Sequence, residues 1–346
     1  MNLLRNSLFL SVFFVFALSG FSQPSSDELS LIMNQWLTEN DNPAIVGCIV
    51  KGEEIIWMDA FGMANVEEEY EATVNTPFML ASVSKTYTGA ALIKAVNDDA
   101  DVSLDDPVND HLSFVVEHPG FPLSDITIWE LLTHTSGIDD NWDVMPYCDG
   151  DCNSVLGDFM FGYFTPGQAD YDANDNFHNW EPGTSYSYSN MGAALCGHVV
   201  EAISGIAFNT YCEQYLFEPL CMTNTHWFLS EFDDVDEIAM PYDTWGGTGA
   251  IDHYGYPDYP DGQLRSSISD VANWLLMSAN DGQFAGTAVL DPLLIDNAMS
   301  VHFGNDQGLI WYSETLDGDV IWTHNGGDQG VSSDIVVSKE NQIGIG

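Results

Sequence analysis

A serine three residues ahead of a lysine occurs once in this chain, as Ser82-Val83-Ser84-Lys85. At a helix start, residues three apart share a face, so the Lys85 amine can stand beside the Ser82 hydroxyl. A serine hydroxyl is a weak nucleophile until a base removes its proton. A lysine can do that only when neutral, which requires burial or a nearby cation to lower its pKa from about 10.4. The helix N-terminus also directs backbone N–H groups towards a developing oxyanion. The same four residues fit a capped helix with an exposed lysine, and alone they do not separate the two.

Tyr188-Ser189-Asn190 stands just before an apolar helical pattern. Tyr188 could accept the serine proton if cations stabilise its phenolate. Asn190 could orient Lys85 or bind a substrate carbonyl. The structural alternative is a packing aromatic followed by an N-cap asparagine. The third piece is His324-Asn325-Gly326-Gly327, read as the end of a strand, where two glycines let a substrate approach the backbone. His118 and His253 also precede an x-Gly pair, but in turn-like contexts that read as structural.

Order, spacing and context together make these pieces specific. The chain resembles the serine β-lactamase and D,D-peptidase superfamily, on the branch with class C β-lactamases, D,D-carboxypeptidases, D-aminopeptidases and family VIII esterases. Phe78 to Lys85, Leu131-Leu132-Thr133-His134-Thr135-Ser136-Gly137, Glu181-Pro182-Gly183-Thr184, Tyr186 to Asn190, Pro219-Leu220 and Leu264-Arg265-Ser266-Ser267 carry the resemblance, over roughly residues 27 to 346. It implies an acyl-enzyme mechanism without metal or cofactor. Ser82 attacks a carbonyl, Lys85 and Tyr188 handle its proton, and the N–H groups of Ser82 and Gly327 form an oxyanion hole. Asn190, His324, Gly326 and Gly327 line the substrate site. Many β-lactamases carry Lys where this chain has His324. A histidine near neutral pH is mostly uncharged and anchors a substrate carboxylate poorly. That favours ester or peptide-like substrates, including D-amino-acid peptides, over penicillins, with a β-lactamase or D,D-carboxypeptidase as the alternative. A non-catalytic penicillin-binding or sensor domain on the same fold is the alternative of another class.

The elements that must position these residues follow from periodicity. Ser26 to Asn40 reads as a helix through Leu29, Ile32, Met33, Trp36 and Leu37. Ala44–Val50 and Ile55–Phe61 read as a strand hairpin around Lys51 to Glu54. A helix opens near Ser82. A capping box at Thr127 and Glu130 starts a short helix before Gly137, and helices follow at about 190–204, at 207–217 and after a Ser269 cap. Residues 138 to 180 read as a long polar and aromatic loop. Strand patterns return at Leu309–Ser313, Val320–Thr323 and Ser332–Val337. Strands at both ends and helices between them predict an α/β (α+β), β-lactamase-like fold: one antiparallel sheet from both chain ends, flanked by helices, with a mostly helical lobe at about 100–265. The final run Asn341 to Gly346 stops inside a strand pattern and reads as truncated.

Residues 1–22 read as a secretory signal, with Arg5, an apolar run from Leu8 to Leu18 and small residues at Ser19-Gly20-Phe21-Ser22. A retained anchor is the alternative. The remaining domain, 23–346, is then expected in the periplasm or outside the cell, without a membrane span. Export permits disulfides, and Cys148 and Cys152 can close a small ring. Cys212 and Cys221 flank a helix end, while Cys48 and Cys196 read as buried thiols. With 53 acids against 6 bases, a net charge of −47, the chain repels nucleic acid and anionic membranes. Its expected partners are small ester, peptide or peptidoglycan-derived molecules. No G-x-S-x-G elbow and no H-E-x-x-H motif is present. Asp170, Asp172, Asn174, Asn176 and Glu181 have EF-hand-like spacing, but Asp175 stands where that loop needs glycine.

Overall fold

The computed structural model describes residues 25–243 and 249–346; the signal reading at 1–22 lies outside them. Helix α1 (Ser26–Glu39) opens on a capping box between Ser25 and Glu28, and its buried face carries Leu29 and Met33, four apart. It leads into strands β1 (Ala44–Lys51), β2 (Glu54–Asn65) and β3 (Tyr70–Glu71). The C-terminal run supplies β11 (Tyr312–Leu316), β12 (Asp319–Asp328), β13 (Val331–Ser338) and β14 (Ile343–Ile345). Among the described residues these form one antiparallel sheet in the order β11-β12-β13-β14-β1-β2-β3. The chain ends meet where Ile49 opposes Ile345 and Lys51 opposes Ile343.

Smaller pairings sit around this sheet. Strands β4 (Pro77–Met79), β8 (Arg265–Ser267) and β6 (Thr225–His226) form a three-stranded unit just ahead of Ser82. Strand β5 (Cys148–Asp149) pairs with β7 (Tyr254–Gly255), and β9 (Gln283–Phe284) with β10 (Thr287–Ala288). Helices α3 (Ile128–Leu132), α4 (Leu156–Phe164), α5 (Asn190–Ser204) and α6 (Phe208–Cys212) lie between the two strand-rich ends.

The main core is built round helix α2 (Ser84–Asp98), which is buried on nearly every side from Ser84 to Ile93. Gly89, Ala90 and Ala91 keep it thin there; a Cβ on Gly89 would meet Ile310 Cγ1 at 2.8 Å. Helix α7 (Ile268–Ala279) packs on the sheet, with Leu275 against Gly344, and α8 (Pro292–Ala298) follows it. A separate cluster of Leu29, Met33, Ile49, Trp57, Ile321, Val336, Ile343 and Ile345 joins α1 to the sheet. Among the described residues no single helix is long and apolar enough to cross a membrane.

Several local expectations change. The 138–180 segment is not all loop: it holds α4, whose Leu156, Met160, Tyr163 and Phe164 are buried at helical spacing. Its aromatic-rich text had hidden the period. Ser189, not Asn190, caps α5, its hydroxyl accepting from Gly192 N at 2.9 Å. Ser267, not Ser269, caps α7, because the cap oxygen must reach the Asp270 N–H. Leu309 to Trp311 is buried but lies before β11 rather than in it. His324 does not end a strand: β12 runs on through Gly326 and Gly327 because β13 pairs with both in a tight hairpin. Cys148 and Cys152 form a disulfide, Cys48 and Cys196 are buried free thiols, and Cys212 and Cys221 are also free.

Candidate active site

Ser82 lies in a single 3-10 turn, Ala81–Val83, that leads directly into α2. Ala81 has a φ of 45°, a left-handed conformation rarely held by a side-chain-bearing residue, so the turn is strained beside the hydroxyl. The turn is held by Leu80 N donating to Leu264 O at 2.8 Å, by Leu264 N donating to Ser84 Oγ at 3.2 Å, and by Ser333 Oγ donating to Leu80 O. Gly326 is required here. A Cβ at that position would lie 2.4 Å from Leu80 O and 2.9 Å from Ser82 N, pushing β12 off the turn.

One helical turn on, Lys85 is fully buried. Its Nζ donates to Ser82 Oγ at 3.2 Å, Asn190 Oδ1 at 2.7 Å and Asp261 O at 2.6 Å. The Tyr188 ring centroid lies 4.9 Å from the same nitrogen. Burial opposes a charge on Lys85, but Tyr188, Asp261 and Asp140 outweigh it and hold the amine above its usual pKa. Neutrality of Lys85, the condition expected for a lysine base, is therefore not the resting state. Tyr188 keeps about a third of its surface open while its hydroxyl end is deep, interacting with Lys85 and Ser82. Burial raises its pKa, and Lys85 offsets that only in part.

Asn190 is aimed by Asp140, which no motif marked. One Asp140 oxygen accepts from Asn190 N at 3.0 Å and from Asn190 Nδ2 at 2.9 Å. The other accepts from Met191 N at 3.0 Å and Ser189 Oγ at 3.2 Å. Asp140 thus occupies the N-terminus of α5, where a carboxylate is favoured, and fixes the Asn190 amide so that its oxygen faces Lys85.

His324 and Gly326, two apart on β12, share the face turned to this cluster. The His324 ring is 1% exposed, with Nδ1 2.7 Å from Asn325 O, and stands 6.2 Å from the Tyr188 ring and 5.7 Å from the Tyr312 ring. It packs against Tyr188 and Tyr312 and is closed off from solvent. His134 packs on Tyr188 at 4.7 Å and accepts from Ser189 N through Nδ1 at 3.2 Å. Burial first, then Lys85, pushes both imidazoles down to about 3, so both are neutral. The cleft itself, about 90 Å³, is bordered by Ser82, Asn190 and Gly327 together with Trp142, Tyr147, Tyr256, Asp258, Asp261 and Asp328. Apart from Asp328 at the end of β12, these acids and aromatics come from loops and single turns without periodicity.

The family described as Beta-lactamase matches residues 32–346. The chain belongs to that family. Among its β-lactamase-family relatives, Protein flp of Staphylococcus aureus (strain NCTC 8325 / PS 47) is 23% identical over 309 residues, covering 85% of this chain and 59% of flp. Penicillin-binding protein 4* of Bacillus subtilis (strain 168) is 24% identical over 308 residues, covering 82% of this chain and 62% of that protein. The chain thus spans about three-fifths of the length of these relatives. The octameric penicillin-binding protein homologue from Pyrococcus abyssi superposes with a TM-score of 0.74 at 23% identity, over 93% of this chain and 72% of that one. The β-lactamase/D-alanine carboxypeptidase from Pseudomonas syringae gives 0.71 at 19% identity, covering 93% of each chain. These likenesses bear out the β-lactamase-like fold expected from the motifs.

The EF-hand-like residues are engaged otherwise. Asp172 Oδ1 accepts from Asn174 N at 2.8 Å, Asn176 Nδ2 donates to Tyr163 O and Asp170 O at 2.9 Å each, and Glu181 accepts from Ser124. Among the described residues no group of three or more His, Cys, Asp or Glu could hold a metal ion.

Proposed function

We propose that the protein is a serine hydrolase that works through an acyl-enzyme on ester or peptide-like substrates whose recognition needs no free carboxylate. The observation that carries this is the Lys85 Nζ contact to Ser82 Oγ at 3.2 Å, with the Tyr188 ring beside Lys85, its hydroxyl interacting with both, and Ser82 bordering a cleft. Ser82 Oγ attacks the carbonyl carbon, and its proton passes to the Tyr188–Lys85 pair. The carbonyl oxygen takes negative charge opposite the N–H groups of Ser82 and Gly327. Collapse breaks the bond to the leaving group, which takes the proton from the same pair. Water, deprotonated by that pair, then cleaves the ester on Ser82 and regenerates the hydroxyl.

Substrates without a carboxylate are preferred because the third motif supplies no cation. His324 is buried and uncharged, and acids rather than bases border the cleft. A penicillin or a C-terminal D-alanyl peptide brings a carboxylate that finds no partner there. We also propose export, supported by the signal-like N-terminus and the Cys148–Cys152 disulfide.

The test is a hydrolysis panel of short-chain esters, D-alanyl amides, D-alanyl-D-alanine peptides and a chromogenic cephalosporin. Turnover of the esters or amides above the carboxylate-bearing members is expected. Faster turnover of the cephalosporin or the D-alanyl-D-alanine peptide would move the protein to a β-lactamase or D,D-carboxypeptidase role. Acylation without turnover on any member would make it a sensor.

A further inference from the structure

Beside Ser82, the cleft is bordered by residues of the segment Tyr256 to Gly262, the end of β12 and the loop carrying Trp142 to Tyr147. It presents three carboxyl groups, Asp258, Asp261 and Asp328. None takes part in an ion pair among the described residues. Lys85, the cation close enough to act on all three, spends its hydrogen bonds on Ser82, Asn190 and the Asp261 backbone oxygen. Asp328 is half satisfied, accepting from Tyr147 OH at 2.8 Å and Gln329 N at 2.7 Å. Asp258 is 3% exposed and borders the cleft; it shares a side-chain hydrogen bond with Asp261, but its Oδ1 has no hydrogen-bond partner among the described residues.

A buried carboxyl oxygen without a donor is costly, and such groups stand where a ligand or ion completes them. The surroundings narrow what that ligand is. An anion finds no cation on this wall and is repelled by whichever of its acids is ionised. A metal ion is not supported, because these carboxyls do not converge as a ligand set. The rest of the wall is aromatic: Trp142 is 64% exposed, Tyr147 is 46% exposed, and Tyr256 lies below them. Acids backed by aromatic faces suit an organic ammonium group, which donates hydrogen bonds to carboxylates and is attracted by ring faces.

We infer that the wall formed by Asp258, Asp261, Trp142 and Tyr147 is a subsite for a protonated amine, so that the preferred substrate is an ester or amide bearing an ammonium group near the scissile carbonyl. The inference names the substrate class for the hydrolytic reading of this site and rests on that reading. Asp258 and Asp261 also interact with each other, and burial raises both, Asp258 to about 7. An incoming ammonium replaces the proton that such a pair would otherwise retain.

The test needs no turnover. Benzylammonium and its neutral counterpart benzyl alcohol are titrated by NMR into the intact protein at pH 8, at 0.05 M and 1 M salt. The subsite predicts that the ammonium binds at least about tenfold more tightly, and that the gap survives 1 M salt, which screens exposed charge but not a buried contact. The double substitution Asp258→Asn with Asp261→Asn should bring the gap below about threefold, with Asp258→Asn alone giving an intermediate value. Equal binding, loss of the gap at 1 M salt in the unmodified protein, or a full gap in the substituted proteins would each overturn the proposal. Labelling of Ser82 by an acylating probe is followed on the same samples. A gap without labelling would sink the hydrolase reading and leave the amine subsite, and labelling without a gap would do the reverse.

Discussion

Ser82 stands between two walls on which the same cause, burial, leaves different charges. Behind Tyr188, His134 and His324 are pushed down to about 3 and have no charge anywhere near neutral pH. Across the cleft, burial raises Asp258 only to about 7 and holds Asp328 above its usual range. Burial disfavours the charged form of both residue types, but it moves histidine away from physiological pH and moves aspartate towards it. The imidazole wall is therefore electrically silent, a packing surface that orients Tyr188. On the acidic wall Asp258 can ionise near neutral pH, which under the proposed function makes this the side that discriminates between substrate charges.

The largest expected effects come from the proton carriers between the walls. Lys85→Ala and Tyr188→Phe should each lower kcat by about a hundredfold or more with a smaller change in KM, since both act mainly in the transition state. Steady-state kinetics on one neutral ester decides this, and near-normal turnover removes the residue from the mechanism.

A comparable effect is expected from pH. Lys85 and Tyr188 are both held above their ordinary pKa values, so the deprotonated form of the pair is scarce at neutrality and grows as pH rises. The kcat/KM of a neutral ester should climb about tenfold per unit from pH 7 to 9. The two imidazoles, already neutral, add no limb near 6.5. A plateau beginning at pH 7 would mean that a group of much lower pKa is the base.

His324→Lys tests the silent wall itself. A permanent cation there should raise kcat/KM for a carboxylate-bearing substrate relative to its neutral match, by about tenfold or less because the acidic wall remains. Salt should help the carboxylate substrate in the unmodified protein by screening the −47 surface, without closing the gap. If the unmodified protein already prefers the carboxylate and His324→Lys changes nothing, the two walls do not divide the labour in this way.

How much of this was legible in the sequence follows from how far each contact reaches. Ser82 and Lys85 are one helical turn apart, so their contact is local and their spacing announces it. Tyr188 and Asn190 flank a helix start, and Gly326 belongs to the His324-Asn325-Gly326-Gly327 motif. Asp140 carries no such mark: it reaches Asn190 from fifty residues away, through a loop positioned by the Tyr163 hydroxyl bonded to Asp139 O and Asn141 N. Asp258 and Asp261 lie between short turns whose place is set by Thr88 and Lys85 on α2, not by any period of their own. His324 was found but misplaced. Its motif suggests a strand end, whereas pairing with β13 carries the strand past it and turns the ring inward.

The most direct test of the central claim is the position of a covalent adduct. The protein is treated with an acylating serine probe, digested and mapped by mass spectrometry, beside Ser82→Ala handled identically and assayed on the same ester. A single adduct on Ser82, with loss of both labelling and hydrolysis in Ser82→Ala, is the predicted result. An adduct elsewhere, together with an active Ser82→Ala protein, would contradict the assignment of Ser82 as the nucleophile.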